Sequence, residues 1–440
     1  MAKTTVTVVG GGLAGSEAAW QIARRGIPVR LHEMRPEQPT AVHRTGDLAE
    51  LVCSNSLKGI DIATAHGLLK QEMRRFGSVI LDSADANRVP AGGALAVDRD
   101  RFAAAVTAAI ESEPLIELVR GEVTEIPADG IVILAVGPLV SDKLAASIAK
   151  FSGQEHLYFY DAIAPVVLAD SVDQDVVFRQ SRYDKGGGDD YLNCPMNREE
   201  YESFIKELLA SELAPLHEFD KTPYFEGCMP IEVMAGRGPD TPRFGPMKPV
   251  GLTDPRTGER PWAVVQLRQD NLAAEHYSMV GFQTQLRWPE QKRVLRMIPG
   301  LEEAEFVRLG QVHRNCYVNA PSLLNADLQA RTRPGLFFAG QISGVEGYTE
   351  SSATGMLAGI NAARIVEGEE TLTLPRETML GALCHYISHT DPKGYQPTNV
   401  AFGLLPEAPK GIRKKRDRKI ARAERALATL EALLQAGSLA

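Results

Sequence analysis

Cysteine is scarce in this chain. Its 440 residues include five cysteines, which lie far apart and form no CxxC pair. Such spacing excludes a disulfide-stapled secreted scaffold and argues against a structural zinc site, so we predict no metal. Long hydrophobic runs are missing as well, since no stretch approaches the roughly 18 apolar residues that a membrane span requires. The first residues also lack the pattern of a secretory signal. These absences predict a cytoplasmic protein with reduced thiols and no membrane contact.

Positive charge is in the minority overall but is concentrated near the C-terminus. The formal net charge is -8, yet residues 410–425 hold nine basic and two acidic residues. A basic segment on an acidic body can attract a polyanion such as a nucleic acid. The same composition is equally typical of a solvated, frayed tail, and the sequence leaves both interpretations open.

The strongest motif is a glycine-rich turn between a strand and a helix. Residues 5–9 have the pattern of a buried strand, residues 16–25 that of an amphipathic helix, and residues 28–32 that of a second strand. In a GxGxxG turn the first glycine makes the tight bend, the second admits a pyrophosphate, and the third lets helix and strand pack closely. The phosphates then lie at a helix N-terminus. We therefore predict a dinucleotide site on the turn, which contains Gly10, Gly11, Gly12, Ala14 and Gly15.

An acid follows the second strand. Glu33 lies 23 residues after Gly10, at the position where an acid binds ribose hydroxyls in such folds. Met34 and Arg35 follow it, and we include them in the predicted cofactor site.

Two further segments favour FAD over NAD as the dinucleotide. A buried strand ends at Gly137, and another, over residues 335–341, ends at Gly340-Gln341 where common flavoproteins have Gly-Asp. A helix that we predict to begin near residue 351 could offer backbone N–H groups to a flavin ring. Its predicted contact residues are Glu346, Gly347, Ser352, Thr354 and Gly355. A second GxGxxG unit is absent, so we predict no separate NAD(P)H-binding domain.

These segments predict an α/β protein with a Rossmann-like FAD-binding domain of the glutathione-reductase type. The FAD-binding domain is split between residues 1–165 and 310–405, and an α+β domain is inserted at residues 166–309. A basic tail occupies residues 406–440.

Several polar residues could carry chemistry. Cys53 and Cys228 lie outside alternating core patterns, so each is either a reactive thiol or an inert small side chain. His313 follows a predicted strand and is either a ligand contact or a core histidine, and Trp288 begins a helix and suits either stacking on a planar ligand or packing. The other three cysteines are predicted to be structural.

The chain resembles the folate- and FAD-dependent tRNA (uracil-5-)-methyltransferases, which are relatives of the GidA flavoproteins. The resemblance runs from Val6 to about Pro406 and includes long strings, among them GGGLAGSEAA from Gly10, HEMRP from His32, VCSNSL from Val52, RVPAGGALAVDR from Arg88, YLNCPM from Tyr191, FGPMKPVGL from Phe244 and GVEGYTES from Gly344.

The resemblance implies an enzyme that makes ribothymidine in the tRNA T-loop. FAD would be the methylene carrier and reductant, NADPH the source of electrons, and methylenetetrahydrofolate the carbon donor. It implies that Cys228 attacks C6 of the uracil while Cys53 assists or accepts the C5 proton, and the reverse assignment stays open. Trp288 and His313 become candidates for holding the folate. We expect basic residues to contact RNA phosphates, namely Arg237, Arg243, Lys248, Lys414, Lys415 and Arg416.

Four alternatives remain in view. The first is the same chemistry on a ribosomal RNA uridine. The second is the related wobble-uridine-modifying flavoprotein, which is disfavoured because only about 75 residues follow the last predicted FAD helix, too few for its large helical domain. A flavin-bound RNA-binding protein without turnover is disfavoured by the two cysteines. A generic flavin reductase or monooxygenase is disfavoured by Gly340-Gln341.

Overall fold

A five-stranded parallel sheet organises the part of the chain that carries the glycine-rich turn. The computed structural model describes residues 4–40, 42–153, 157–215 and 224–436. The sheet has the order β16-β7-β1-β2-β6. The strands of the chain are β1 (Val6–Val9), β2 (Val29–Glu33), β3 (Ser56–Gly59), β4 (Arg88–Val89), β5 (Ala94–Val97), β6 (Ile116–Arg120), β7 (Val132–Leu134), β8 (Leu157–Ala162), β9 (Val166–Leu168), β10 (Phe178–Arg179), β11 (Tyr191–Met196), β12 (Ala263–Gln269), β13 (His276–Met279), β14 (Phe306–Arg308), β15 (Val312–Tyr317) and β16 (Leu336–Phe338).

Helices connect the strands and lie both on the parallel sheet and in the middle part of the chain. They are α1 (Leu13–Ala23), α2 (Ala65–Arg75), α3 (Val79–Ala86), α4 (Arg99–Ser112), α5 (Asp142–Ser152), α6 (Arg198–Ala210), α7 (Ile231–Gly236), α8 (Thr241–Phe244), α9 (Trp288–Leu295), α10 (Ala320–Leu323), α11 (Tyr348–Glu367), α12 (Met379–His389) and α13 (Lys415–Gln435). Within the described residues, no helix has the length and apolar character needed to cross a bilayer.

The two helices that frame the cofactor cleft pack closely against each other. A Cβ atom on Gly355 of α11 would lie 2.1 Å from the carbonyl oxygen of Ala14 in α1, and one on Gly359 would lie 2.6 Å from that of Ala18. Both glycines therefore let the backbones approach, which brings the N-terminus of α11 beside that of α1. The helix α11 begins at Tyr348, three residues before the predicted start, because Gly347 takes a φ of +116° that ends the preceding loop.

The middle of the chain forms a second hydrophobic core around an antiparallel sheet. Its six strands have the order β10-β11-β12-β13-β9-β14. Helix α6 packs Phe204 against Phe282, with the ring centroids 6.3 Å apart. This parallel sheet with an inserted antiparallel sheet confirms the predicted α/β class.

A two-stranded ladder and side-chain contacts join the two cores. Strand β8 precedes the middle part of the chain and β15 follows it, and these two strands pair antiparallel with each other. The Asn55 amide donates to the Gln269 carbonyl at 2.9 Å, and Arg99 pairs with Asp270 at 3.1 Å. These contacts hold the two cores, and the candidate catalytic residues on them, in a fixed arrangement.

The basic C-terminal segment is folded between Lys415 and Gln435. In α13 the side chains of Ala423, Ala426 and Leu430 are fully buried, at the spacing of one helical face. Arg422 and Arg425 donate to the carbonyl oxygens of Phe402 and Glu407 at 2.9 Å each. A frayed tail is therefore the wrong interpretation for these residues.

Candidate active site

The glycine-rich turn has room for a ligand on one side only. Gly10 has a φ of +103°, and a Cβ there would lie 2.4 Å from the Ala135 carbonyl oxygen. A Cβ on Gly15 would lie 1.7 Å from the Gly10 carbonyl oxygen, whereas one on Gly12 would meet nothing within 4 Å. Gly10 and Gly15 thus serve packing, and Gly12 faces open space at the N-terminus of α1, where an anion is favoured.

Glu33 is buried at the end of β2. Its carboxylate accepts the Gly11 backbone N–H at 2.8 Å and pairs with the Arg35 guanidinium at 2.8 Å. Burial favours the protonated carboxyl, but the hydrogen bonds and charge of Arg35 lower the pKa of Glu33 below its ordinary value. The carboxylate is therefore ionised at neutral pH and suited to accept hydroxyl hydrogen bonds.

A cleft of about 1060 Å³ runs from this turn towards the start of α11. Eight of the predicted cofactor residues line it: Gly10, Gly12, Ala14, Glu33, Met34, Arg35, Gly137 and Gly340. Since the cleft is long, has an open glycine at a helix N-terminus and carries an acid at the strand end, its residues fit a dinucleotide such as FAD.

The other predicted cofactor residues lie behind the cleft wall. Gly11 packs between Glu33 and Leu48. The Thr354 hydroxyl accepts the Gly340 N–H at 2.9 Å, and the Ser352 hydroxyl donates to the Tyr348 carbonyl at 2.8 Å. Their side chains therefore support the loop that ends β16. In α11 it is Tyr348 and Ser351 that line the cleft.

Glu346 and Gly347 precede the start of α11. The carboxyl of Glu346 is buried and hydrogen-bonded to the Gln341 amide. Burial, followed by the nearby Asp161 carboxylate, raises the pKa of Glu346 well above its ordinary value. The surroundings of Glu346 thus favour the protonated form of its carboxyl near the cysteine site.

Cys53 and Cys228 are brought together with a carboxylate. One Sγ atom from each and a carboxylate oxygen of Asp161 all lie within 4.8 Å of one another. Asp161 belongs to β8, and Cys228 ends a 3₁₀ turn over Glu226–Cys228. Two thiols that are about 175 residues apart in sequence therefore form one cluster, which is the arrangement that covalent catalysis on a ring requires.

The loop that carries Cys53 is held from two sides. The Tyr348 hydroxyl accepts the backbone N–H groups of Cys53 and Ser54 at 2.8 and 3.1 Å. The Arg268 guanidinium donates to Asn55 and to the Ser54 hydroxyl, both at 2.8 Å. Because Tyr348 also lines the cleft, the cysteine cluster lies at the end of the cleft where α11 begins.

The Cys228 thiol is protonated in the free protein. Its hydrogen bond with Cys53, together with burial and the Asp161 carboxylate, raises the pKa of Cys228 well above its ordinary value. Since the thiolate is the nucleophile, Cys228 must lose its proton to a neighbour before it attacks.

Trp288 borders a separate groove, and His313 directly follows the residues that line it. Trp288 is 60% exposed at the start of α9, and the groove beside it is lined by residues 284–289 and 310–312. His313 follows in β15, where its backbone lies opposite that of Asp161 in the ladder. The strand thus leads from the tryptophan to the cysteine cluster, and a planar ligand could lie along it.

The predicted RNA-contacting residues lie in two places. Near the Cys228 turn, Arg237 pairs with Glu226 at 2.8 Å, and the Arg243 guanidinium lies 3.6 Å from the ring centroid of Trp262. At the start of α13, Arg416 pairs with Asp61 at 2.9 Å. Lys248 belongs to the first group, and Lys414 and Lys415 belong to the second.

Comparison with known proteins places this geometry in a family. A family model described as "Glucose inhibited division protein A" matches residues 5–370. The chain is 62% identical over 436 residues to the methylenetetrahydrofolate–tRNA-(uracil-5-)-methyltransferase TrmFO of Symbiobacterium thermophilum, with 98% of this chain and 97% of the relative covered. It is 58% identical to the TrmFO of Brevibacillus brevis, with 99% of each chain covered. The chain belongs to the TrmFO family.

A solved structure agrees on the fold of this TrmFO-family chain. The structure of Aquifex aeolicus GidA superposes with a TM-score of 0.69 at 17% identity, covering 98% of this chain and 74% of that one. These matches confirm the resemblance seen in the sequence and the FAD-binding Rossmann-like fold.

Sequence reasoning missed Asp161 and Tyr348. Asp161 lies in an unremarkable strand, and it meets the cysteines because Tyr160 bridges Tyr224 near the Cys228 turn and the Cys53 thiol lies 3.8 Å from the Ala162 carbonyl oxygen. Tyr348 is part of the GVEGYTES string, so its place at the start of a glycine-preceded helix was a signal that could have been used.

Proposed function

We propose that this chain methylates C5 of a uridine in the tRNA T-loop, with methylenetetrahydrofolate as carbon donor, FAD bound in the cleft and NADPH as reductant. The observation that carries the proposal is the cluster of Cys53, Cys228 and Asp161 at the flavin end of a dinucleotide cleft. Membership of the TrmFO family supports the same activity.

The cleft residues would hold the cofactor in three places. Gly12 and the N-terminus of α1 would bind the pyrophosphate, Glu33 the ribose, and the loop from Gly340 to the start of α11 the flavin ring. When bound, FAD supplies a carrier for the methylene carbon and the hydride that completes the methyl group.

Cys228 is the proposed nucleophile. Uracil C5 is a poor nucleophile until a thiolate adds to C6, which turns the ring into an enolate. The Asp161 carboxylate lies within reach of the Cys228 thiol and can take its proton, and Cys53 can do so when it is a thiolate. After C5 has reacted, its proton leaves to one of the same two groups, and expulsion of the Cys228 thiolate restores the ring. The cluster thus holds a nucleophile and proton acceptors together.

The test uses purified protein with FAD, NADPH, carbon-labelled methylenetetrahydrofolate and an unmodified tRNA transcript, without S-adenosylmethionine. We expect label in ribothymidine of the T-loop and loss of labelling in Cys228→Ala and Cys53→Ala. A Cys194→Ala variant is the matched control, since that thiol is fully buried in the antiparallel sheet.

Two other results would redirect the assignment. Label in a ribosomal RNA fragment but not in tRNA would favour the same chemistry on ribosomal RNA. NADPH oxidation without label in either RNA would refute the methyltransferase assignment.

A further inference from the structure

A second groove, away from the cofactor cleft, presents an exposed aromatic ring among cations. Phe244 ends α8 and is 82% exposed, more than any other large apolar side chain in the described residues. It borders a groove of about 1630 Å³ whose floor includes Pro195, Met196 and Pro299. An apolar ring held in solvent beside a groove offers a flat face on which a planar ligand can stack.

The loop that presents Phe244 is rigid. Met247 is fully buried, and its backbone N–H donates to the Pro242 carbonyl at 2.9 Å. The Arg182 guanidinium donates to the carbonyl oxygens of Pro246 and Lys248 at 3.3 and 2.6 Å. Exposure of the ring is therefore fixed by the fold rather than by a loose segment.

The groove carries excess positive charge on a negative chain. Its lining includes five basic and three acidic residues, namely Arg198, Arg243, Lys248, Arg256, Arg260, Glu200, Asp254 and Glu259. Three of the basic residues are paired with acids, namely Arg256 with Asp254 at 2.7 Å, Arg198 with Glu202 at 2.7 Å and Arg243 with Asp240 at 3.2 Å, and Glu200 closes the N-terminus of α6. Among the described residues, neither Lys248 nor Arg260 has an acidic partner. This charge pattern complements a polyanion.

A stacked aromatic and cation pair lies on the same wall. The Trp262 ring lies under the Arg243 guanidinium at 3.6 Å and near that of Arg198 at 5.3 Å. Arg243 also donates to the Trp262 carbonyl at 3.0 Å, which fixes its position. Aromatic rings and fixed guanidinium groups are the surfaces on which unstacked RNA bases lie.

The groove is connected to the Cys228 turn by a short, braced segment. The chain passes from Cys228 through α7 and α8 to Phe244, and the ion pair of Arg237 with Glu226 joins the end of α7 to the turn itself. The groove and the turn that carries Cys228 are thus parts of one connected segment.

We propose that this groove binds a nucleotide of the RNA substrate other than the target uridine. Phe244 stacks on its base, and Lys248 and Arg260 contact neighbouring phosphates. The inference rests on the proposed function for the identity of the RNA, but it concerns binding alone.

The test measures affinity for an unmodified tRNA transcript by fluorescence anisotropy at several salt concentrations. We expect Phe244→Ala to weaken binding about tenfold to a hundredfold with no change in salt slope, because stacking is not ionic. Phe244→Trp should restore binding. Arg260→Gln should lower the salt slope by about one. Tyr386→Ala removes an exposed aromatic outside the groove and should leave affinity unchanged.

Unchanged thermal unfolding and flavin content show that the variants are folded. RNA affinity within twofold of the parent in Phe244→Ala would overturn the proposal, and a simultaneous change in oligomeric state would assign the groove to a second copy of the chain. If RNA binds as expected but no uridine is methylated, the proposed function fails while the docking site stands.

Discussion

Replacing Gly12 by alanine should separate cofactor binding from folding. The backbone at Gly12 has φ -75° and ψ -168°, which alanine adopts freely, and a Cβ there meets no atom within 4 Å. The free energy of unfolding of the apoprotein should therefore change by at most about 1 kcal/mol, with a stabilising sign because alanine restricts the unfolded chain.

The same methyl group occupies the space through which a pyrophosphate reaches the turn. Each hydrogen bond to a charged group contributes about 1.5–3 kcal/mol, so losing one or two of them weakens binding by about 3 kcal/mol. This corresponds to roughly a hundredfold increase in the Kd for FAD.

Gly15→Ala is the matched comparison. Its Cβ would lie 1.7 Å from the Gly10 carbonyl oxygen, so the strand and helix must separate. We expect a loss of at least about 1–3 kcal/mol in stability before any ligand is added. Urea unfolding of the apoproteins and titration with FAD, followed by flavin fluorescence, measure both effects. The reasoning is refuted if Gly12→Ala binds FAD like the parent, or if it loses as much stability as Gly15→Ala.

Three further predictions concern thiols, acid and salt. Cys53→Ala removes the main cause of the high Cys228 pKa, so iodoacetamide should alkylate Cys228 at lower pH than in the parent. Mass spectrometry measures the alkylated fraction at each pH, and an unchanged midpoint of that pH profile would contradict this. Arg35→Met should lower the free energy of unfolding by about 3–5 kcal/mol at pH 7. This difference in stability from the parent should narrow as the pH falls below about 4.3 and through the lowered pKa of Glu33, because the carboxylate is then protonated. A stability difference that does not change with pH in urea unfolding would contradict the pairing. Lys415→Gln should lower the salt slope of tRNA binding by about one, and an unchanged slope would exclude the tail from the RNA interface.

The cofactor turn could be predicted because its information is local. The strand, the glycine spacing, the helix and Glu33 lie within about 30 residues, and each has a steric reason that the sequence alone conveys. The structure moves the helix start to Leu13 but keeps the order of elements.

The reactive cluster could be predicted only in part. The resemblance pointed to Cys53 and Cys228, but the residues around them in the sequence do not predict their contact with Asp161. That contact depends on the bridge between Tyr160 and Tyr224 and on the Cys53 thiol reaching the Ala162 carbonyl, which is 109 residues away in sequence. Tyr348 is likewise joined to the Cys53 backbone by a bond between residues 295 apart in sequence.

The basic tail was hard to interpret because its charge obscured its helical pattern. The buried Ala423, Ala426 and Leu430 of α13 recur at three- and four-residue intervals, but they follow a run of charged residues, and Glu424 and Arg425 lie between the first two. The charge composition alone indicates a solvated tail, whereas the periodicity of the apolar residues predicts a packed helix.

The negative net charge bears on how an RNA substrate can approach this protein. A chain with a formal charge of -8 repels a polyanion over most of its surface, so the RNA is attracted where cations are concentrated. The Phe244 groove and the start of α13 are two such places, and the first is braced to the turn that carries Cys228. Ionic contacts at these places set the orientation of the RNA but carry little information about sequence. In the proposed mechanism, choice of the uridine comes from the pocket at the two cysteines, where a base has to leave its stack to reach a thiol.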